Sequence, residues 1–150
     1  MTLNPLEISE KIEGNKKTIS YFLEKLNFSY EGNVWMINGP KGIGKSLLLR
    51  LLASSLLGIK YTANEYKNII HPDLVILSKN NSKKFISVDE IRNLKKLFYK
   101  TSFNGSYRVA IIDSINDLNL FGHNALLKTI EEPPKGSFIF IINHQNSYVP

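Results

Sequence analysis

Cysteine is absent from the 150 residues, which rules out disulfides and any cysteine-ligated zinc site. Of the three histidines, His123 and His144 read as surface or packing residues and His71 as a loop residue ahead of Pro72, because no metal-ligand spacing links them. No apolar run approaches the ~20 residues that cross a bilayer. Met1 to Glu10 carries Glu7 and Glu10 and lacks the apolar core of a secretion signal. The expectation is a cytoplasmic protein without membrane attachment. Acids are outnumbered, 13 Asp and Glu against 19 Lys and Arg, for a net charge of +6. That balance is compatible with a nucleic-acid-facing role without establishing one. The pairs Lys16-Lys17, Lys83-Lys84 and Lys95-Lys96 are scattered and read first as solvated surface.

What is present suits one globular domain, 43% hydrophobic and 21% charged. Its most informative stretch is Gly39-Pro40-Lys41-Gly42-Ile43-Gly44-Lys45-Ser46, which fits the phosphate-binding pattern G-x-x-x-x-G-K-[ST]. An apolar strand, Val34 to Asn38, precedes it, and a strong helix former, Leu47 to Ala53, follows. Glycines let backbone N–H groups close on phosphate oxygens without interference from Cβ. The next helix aims its positive end at the same anion. In this pattern Lys45 reaches the β- and γ-phosphates of ATP, and the Ser46 hydroxyl ligates Mg2+. A glycine-rich turn that only joined a strand to a helix would not need Lys-Ser in register.

Along the chain, Leu6 to Leu26 shows helical spacing broken at Gly14-Asn15, so the second helical piece is placed near Lys16 to Leu26. Gly58 suits a helix C-cap. Leu74 to Leu77 reads as a second strand, and Ser78 to Lys84 as a polar turn. Ser87 and Glu90 form a capping-box pattern before a helix whose apolar face is Ile91, Leu94, Leu97 and Phe98. Phe103 to Ser106 is a turn. Arg108 to Asp113 is a third strand. Asn119 opens a helix over Leu120 to Glu131, stopped by Pro133-Pro134, and Phe138 to Ile142 is a fourth strand ending at Asn143-His144. Apolar strands alternating with helices predict an α/β fold, a mainly parallel sheet covered on both faces.

Asp113 closes its apolar strand where a phosphate-loop protein keeps its second Mg2+ acid. Ser114 follows it, where ATPases of the Asp-Glu type carry the glutamate that polarises water. A serine is no general base at neutral pH, so nucleotide binding with poor hydrolysis is expected. Asp117 stands three residues further on as a candidate substitute. Asn143, at the end of the fourth strand, is a candidate γ-phosphate contact, though an ordinary loop asparagine reads equally well.

Several segments occur in one order: Gly39 to Ser46, His71-Pro72-Asp73, Ile86 to Arg92, Val109 to Asp113, and Asn124-Ala125-Leu126-Leu127-Lys128-Thr129-Ile130-Glu131-Glu132-Pro133-Pro134. Together they resemble the N-terminal module of bacterial sliding-clamp loaders, AAA+ proteins of DNA polymerase III. The Asn124 to Pro134 segment is the most specific. Ser114 makes the resemblance closer to delta-prime subunits than to gamma/tau subunits, which usually carry Asp-Glu. The four-cysteine zinc module of many members is absent or reduced to Ile59 to Pro72.

The resemblance implies a P-loop NTPase (AAA+) three-layer sandwich over residues 1–150, with the fifth strand and helical lid missing. It implies phosphate and Mg2+ roles for Lys45 and Ser46, the second acidic motif at Asp113, and the sensor-1 position at Asn143. It also implies a part in a pentamer that uses ATP to load the sliding clamp onto primed DNA. The partners would be gamma/tau and delta subunits and the clamp, with primer-template DNA reached through the assembly and no membrane. A gamma/tau-like motor subunit is the alternative, and another replication ATPase such as a helicase loader is a third reading. The AAA+ strand order 5-1-4-3-2 would leave the Val34 to Asn38 strand as a bare edge, so a fragment or reduced relative of marginal stability is expected.

Overall fold

Four apolar segments pair side by side in the computed structural model, which describes residues 16–26, 32–60, 68–79, 84–100 and 107–144. They are β1 (Asn33–Gly39), β2 (Leu74–Ser78), β3 (Arg108–Asp113) and β4 (Ser137–His144), and they form one sheet in the order β1-β4-β3-β2. Every pairing is parallel. Parallel neighbours require crossovers. The crossovers bring helices α2 (Lys45–Leu57) and α3 (Val88–Tyr99), flanking β2, and α4 (Leu120–Glu131), between β3 and β4; α1 (Lys16–Lys25) precedes β1.

Side-chain alternation along each strand divides the core into two halves. Val109, Ile111, Phe138, Phe140 and Ile142 pack with α1 and α2. Ala110, Ile112, Ile139 and Ile141 pack with α3 and α4 on the opposite face. Because both faces are covered, β3 and β4 are buried almost throughout, which is why they read as continuous apolar runs. The sequence-predicted α/β three-layer architecture is the one observed. Phe22 stands edge-on to Trp35 at 5.3 Å and to Phe140 at 6.3 Å, fixing α1 on the sheet.

Local signals set the helix ends. Ser87 Oγ accepts from the Glu90 N–H at 3.2 Å, and the Glu90 carboxylate accepts from the Ser87 N–H at 2.8 Å, completing the capping box. Asn119 Oδ1 caps α4 through the Gly122 N–H at 2.8 Å. Gly58 ends α2 with φ of 67°, a left-handed conformation that glycine adopts without a Cβ clash. At the far rim Arg108 is nearly buried and donates to the carbonyls of Lys100 and Lys135, tying the end of α3 to the turn before β4.

Small differences from the sequence reading concern boundaries. α2 begins at Lys45, inside the motif, and Ser78 belongs to β2. β4 reaches His144, two residues past its apolar core. The helical piece before Gly14-Asn15, the Phe103 to Ser106 turn, half of the Ile59 to Pro72 connection and residues 80–83 of the Ser78 to Lys84 turn lie outside the described residues. Among the described residues no strand pairs with the outer side of β1, and an open groove of about 250 Å³ runs beside it, floored by Trp35 and Ile37. No described helix is long and apolar enough to cross a membrane.

The double-sided burial of β4 has a measurable consequence. Phe140→Ala, at a fully buried position, should lower the unfolding free energy by about 3–5 kcal/mol in urea titrations. Leu127→Ala, on the half-exposed side of α4, should change it by no more than ~0.5 kcal/mol. Equal losses at both positions would mean that Phe140 does not sit in a packed core.

Candidate functional site

Parallel pairing gathers the C-terminal ends of all four strands at one rim, the usual place for ligands in such sheets. At this rim β1 runs into Pro40 to Gly44, and the chain turns at once into α2. Two turn residues need glycine for their backbone, Gly42 with φ of 90° and Gly44 with φ of 97°. Gly39 needs it for space, since a Cβ there would stand 2.8 Å from Ile43 Cδ1. Lys41 and Ile43 are exposed on the outside of the loop.

Lys45 is 6% exposed, with its ammonium folded under the loop. Its Nζ donates to the Gly39 carbonyl at 2.7 Å and also to the Pro40 carbonyl. Burial pushes its pKa below the ordinary value, and the Asp113 carboxylate opposes this with a smaller effect. In the first turn of α2, Ser46 Oγ donates to Asp113 Oδ2 at 2.9 Å and accepts from Arg50 Nε at 3.2 Å. The structure thus brings together the loop, Lys45, Ser46 and Asp113, which are dispersed over 75 positions of sequence. Two hard oxygen donors in contact, beside a left-handed glycine turn, fit a nucleotide phosphate with Mg2+.

Asn143 lies on the same rim, opposite Asn38 in the β1–β4 register, and its Nδ2 donates to Asn38 Oδ1 at 2.9 Å. Ser114 is 1% exposed, and its hydroxyl lies 3.5 Å from Asp117 Oδ2. Asp117 pairs with Lys79 at 3.4 Å. Two residues have a place here that their sequence reading did not assign. Arg50 holds the Ser46 hydroxyl from one helical turn away, and the i, i+4 spacing was the signal for it. His144, read as a surface or packing residue, brings its Nε2 to 3.7 Å from Asp113 Oδ1, and its backbone N–H donates to Asn116 Oδ1 at 2.9 Å. Away from the rim, Arg92, Lys95 and Lys128 border a hollow of about 260 Å³ between α3 and α4, with Phe121 at its side.

A family model described as DNA polymerase III, delta subunit, matches residues 14–150. The chain belongs to this family. Among curated relatives it is similar to DNA polymerase III subunit delta' of Pseudomonas aeruginosa, 31% identical over 125 residues that cover 77% of this chain and 38% of that protein. It is similar also to DNA polymerase III subunit gamma of Buchnera aphidicola, 31% identical over 136 residues that cover 84% of this chain and 37% of that one. The chain spans less than two fifths of the length of either relative. The crystal structure of a DNA polymerase III gamma subunit-related protein from Thermotoga maritima matches with a TM-score of 0.54 at 22% identity, covering 85% of this chain and 38% of that one. At that identity the likeness speaks for the fold alone, an α/β domain built on a parallel sheet.

The environment of Lys45 sets a pH dependence. Its pKa in the folded chain lies below 10.5, so across the interval up to 10.5 the unfolded chain binds more protons and stability rises with pH. A Lys45→Met variant lacks this contribution. Urea unfolding at a series of pH values should therefore show the wild type gaining on Lys45→Met as pH climbs towards 10.5. A difference that stays flat with pH would mean that the ammonium is not desolvated.

Proposed function

We propose that residues 1–150 form one AAA+ nucleotide-binding domain of a clamp-loader subunit of the delta-prime kind, holding ATP with Mg2+ and hydrolysing it poorly by itself. The observation that carries the reading is the contact of Ser46 Oγ with Asp113 Oδ2 at 2.9 Å. It joins the end of the phosphate loop to the acid at the tip of β3, two groups whose shared use is a divalent cation beside a nucleotide phosphate.

In this role the backbone N–H groups of Lys41 to Ser46 would donate to the phosphates. Lys45 exchanges the Gly39 and Pro40 carbonyls for the β- and γ-phosphate oxygens, an exchange that its weak solvation in the buried position favours. Ser46 and Asp113 hold the cation, which when bound offsets the phosphate charge. Asn143 occupies the sensor-1 position, with Asn38 holding its amide. Poor hydrolysis follows from what comes after Asp113. Ser114 is buried and no base, and Asp117 is engaged by Lys79 and Ser114.

The chain's contribution to the larger assembly would then be structural and regulatory. It would help an ATP-driven pentamer of gamma/tau, delta and delta-prime subunits place the sliding clamp on primer-template DNA in the cytoplasm. A motor subunit of the gamma/tau kind is the second reading, favoured by the intact Lys45-Ser46 loop and by the gamma relative of equal identity.

Titration with a fluorescent ATP analogue and Mg2+, with phosphate release followed in parallel, separates the readings. Saturable binding that falls by at least about tenfold in Lys45→Ala, with no turnover, is the expected result. Steady turnover that depends on Lys45 and Asp113 would move the chain to the motor subunits. Absence of binding would overturn the nucleotide reading.

A further inference from the structure

We propose that His144 is a third protein donor to the divalent cation held by Ser46 and Asp113, and that it tilts this site towards Mn2+ over Mg2+. The inference rests on the nucleotide-and-metal reading of the loop and goes beyond it by naming a nitrogen donor.

Strand register supplies the first argument. Side chains alternate along β4, and Phe138, Phe140 and Ile142 all face α1 and α2. Two residues beyond Ile142, His144 continues on that face. Along β3, Val109 and Ile111 share the same face, and Asp113 continues it in turn. Asp113 lies opposite Ile142 in the β3–β4 register, so the imidazole stands diagonally past the carboxylate, on the side where α2 presents Ser46. Asn143 alternates to the other side and is taken up by Asn38.

Distance supplies the second. The two oxygens of one carboxylate are shared out, Oδ2 to Ser46 Oγ at 2.9 Å and Oδ1 to His144 Nε2 at 3.7 Å. Two donors bound to one small divalent ion at about 2.0–2.2 Å each stand roughly 2.8–4 Å apart, from right-angled to nearly opposed, and both separations fall in that span. The imidazole is also anchored, because its residue's N–H is bonded to Asn116 Oδ1 at 2.9 Å and its side chain is only 24% exposed. Chemistry then sets the preference. Mg2+ demands oxygen in near-ideal octahedral geometry and keeps its waters, whereas Mn2+, a first-row transition cation, accepts an imidazole in its donor set more readily.

The test uses the full chain with its histidines labelled with 15N, a slowly hydrolysed ATP analogue and Mn2+, read by pulsed electron paramagnetic resonance. The adenine nitrogens stay 14N, so an imidazole bonded to the metal is identified by its 15N coupling. That coupling is expected in the wild type and absent in His144→Gln. The ratio of Mn2+ to Mg2+ affinity should fall about tenfold in the same variant. If His144→Gln fails to fold, retention of the coupling in a His71→Gln, His123→Gln double variant assigns it to His144. Bound Mn2+ and nucleotide without 15N coupling would overturn the role of His144 and leave the nucleotide reading standing. Failure to bind Mn2+ with or without nucleotide would overturn both.

Discussion

The central position of β4 is the constraint on which the rest depends. It pairs with β1 on one side and β3 on the other, so the strand that leads into the phosphate loop and the strand that ends in Asp113 both lie against it. Phe138 to Ile142 are buried on both sides, and the site at the rim inherits its rigidity from that packing. A parallel sheet has no hairpin to hold its order. Order comes instead from helices crossing over and burying one face each, which α1 and α2 do on one side and α3 and α4 on the other.

The loop at the end of β1 is held in a closed state by its own lysine. Two carbonyls accept from the Lys45 ammonium, whose side chain is almost wholly buried. A buried ammonium with only neutral acceptors and one acid nearby is incompletely compensated. On the proposed reading, an incoming phosphate would offer Lys45 a better partner than the loop does. The same economy is visible one residue on, where a single serine hydroxyl bridges an acid from β3 and an arginine from its own helix.

On the proposed reading, gripping a nucleotide and hydrolysing it make separate demands on one rim. Everything that would grip phosphate and cation comes from α2, its loop and the tip of β3. What would polarise water must come from the residue after Asp113, and there Ser114 is turned into the protein interior.

Much of this was legible in the residues. The G-x-x-x-x-G-K-S stretch, the Ser87–Glu90 cap, the Asn119 cap and the Gly58 stop each depend on neighbours within about four positions, and local chemistry decides them. The fully apolar runs likewise announced strands buried on both faces, hence a parallel sheet. Register is different, because a shift of one residue along β4 would exchange His144 for Asn143 beside Asp113 while leaving the local pattern almost unchanged. Only the packing of Phe138, Phe140 and Ile142 against α1 and α2 selects between the two. Sequence by itself therefore determined which elements form and where the glycine-rich loop falls between β1 and α2. The tertiary structure decided which side chains meet at the tip of β3, since those contacts span 31 to 67 positions of chain and no local signal reaches that far.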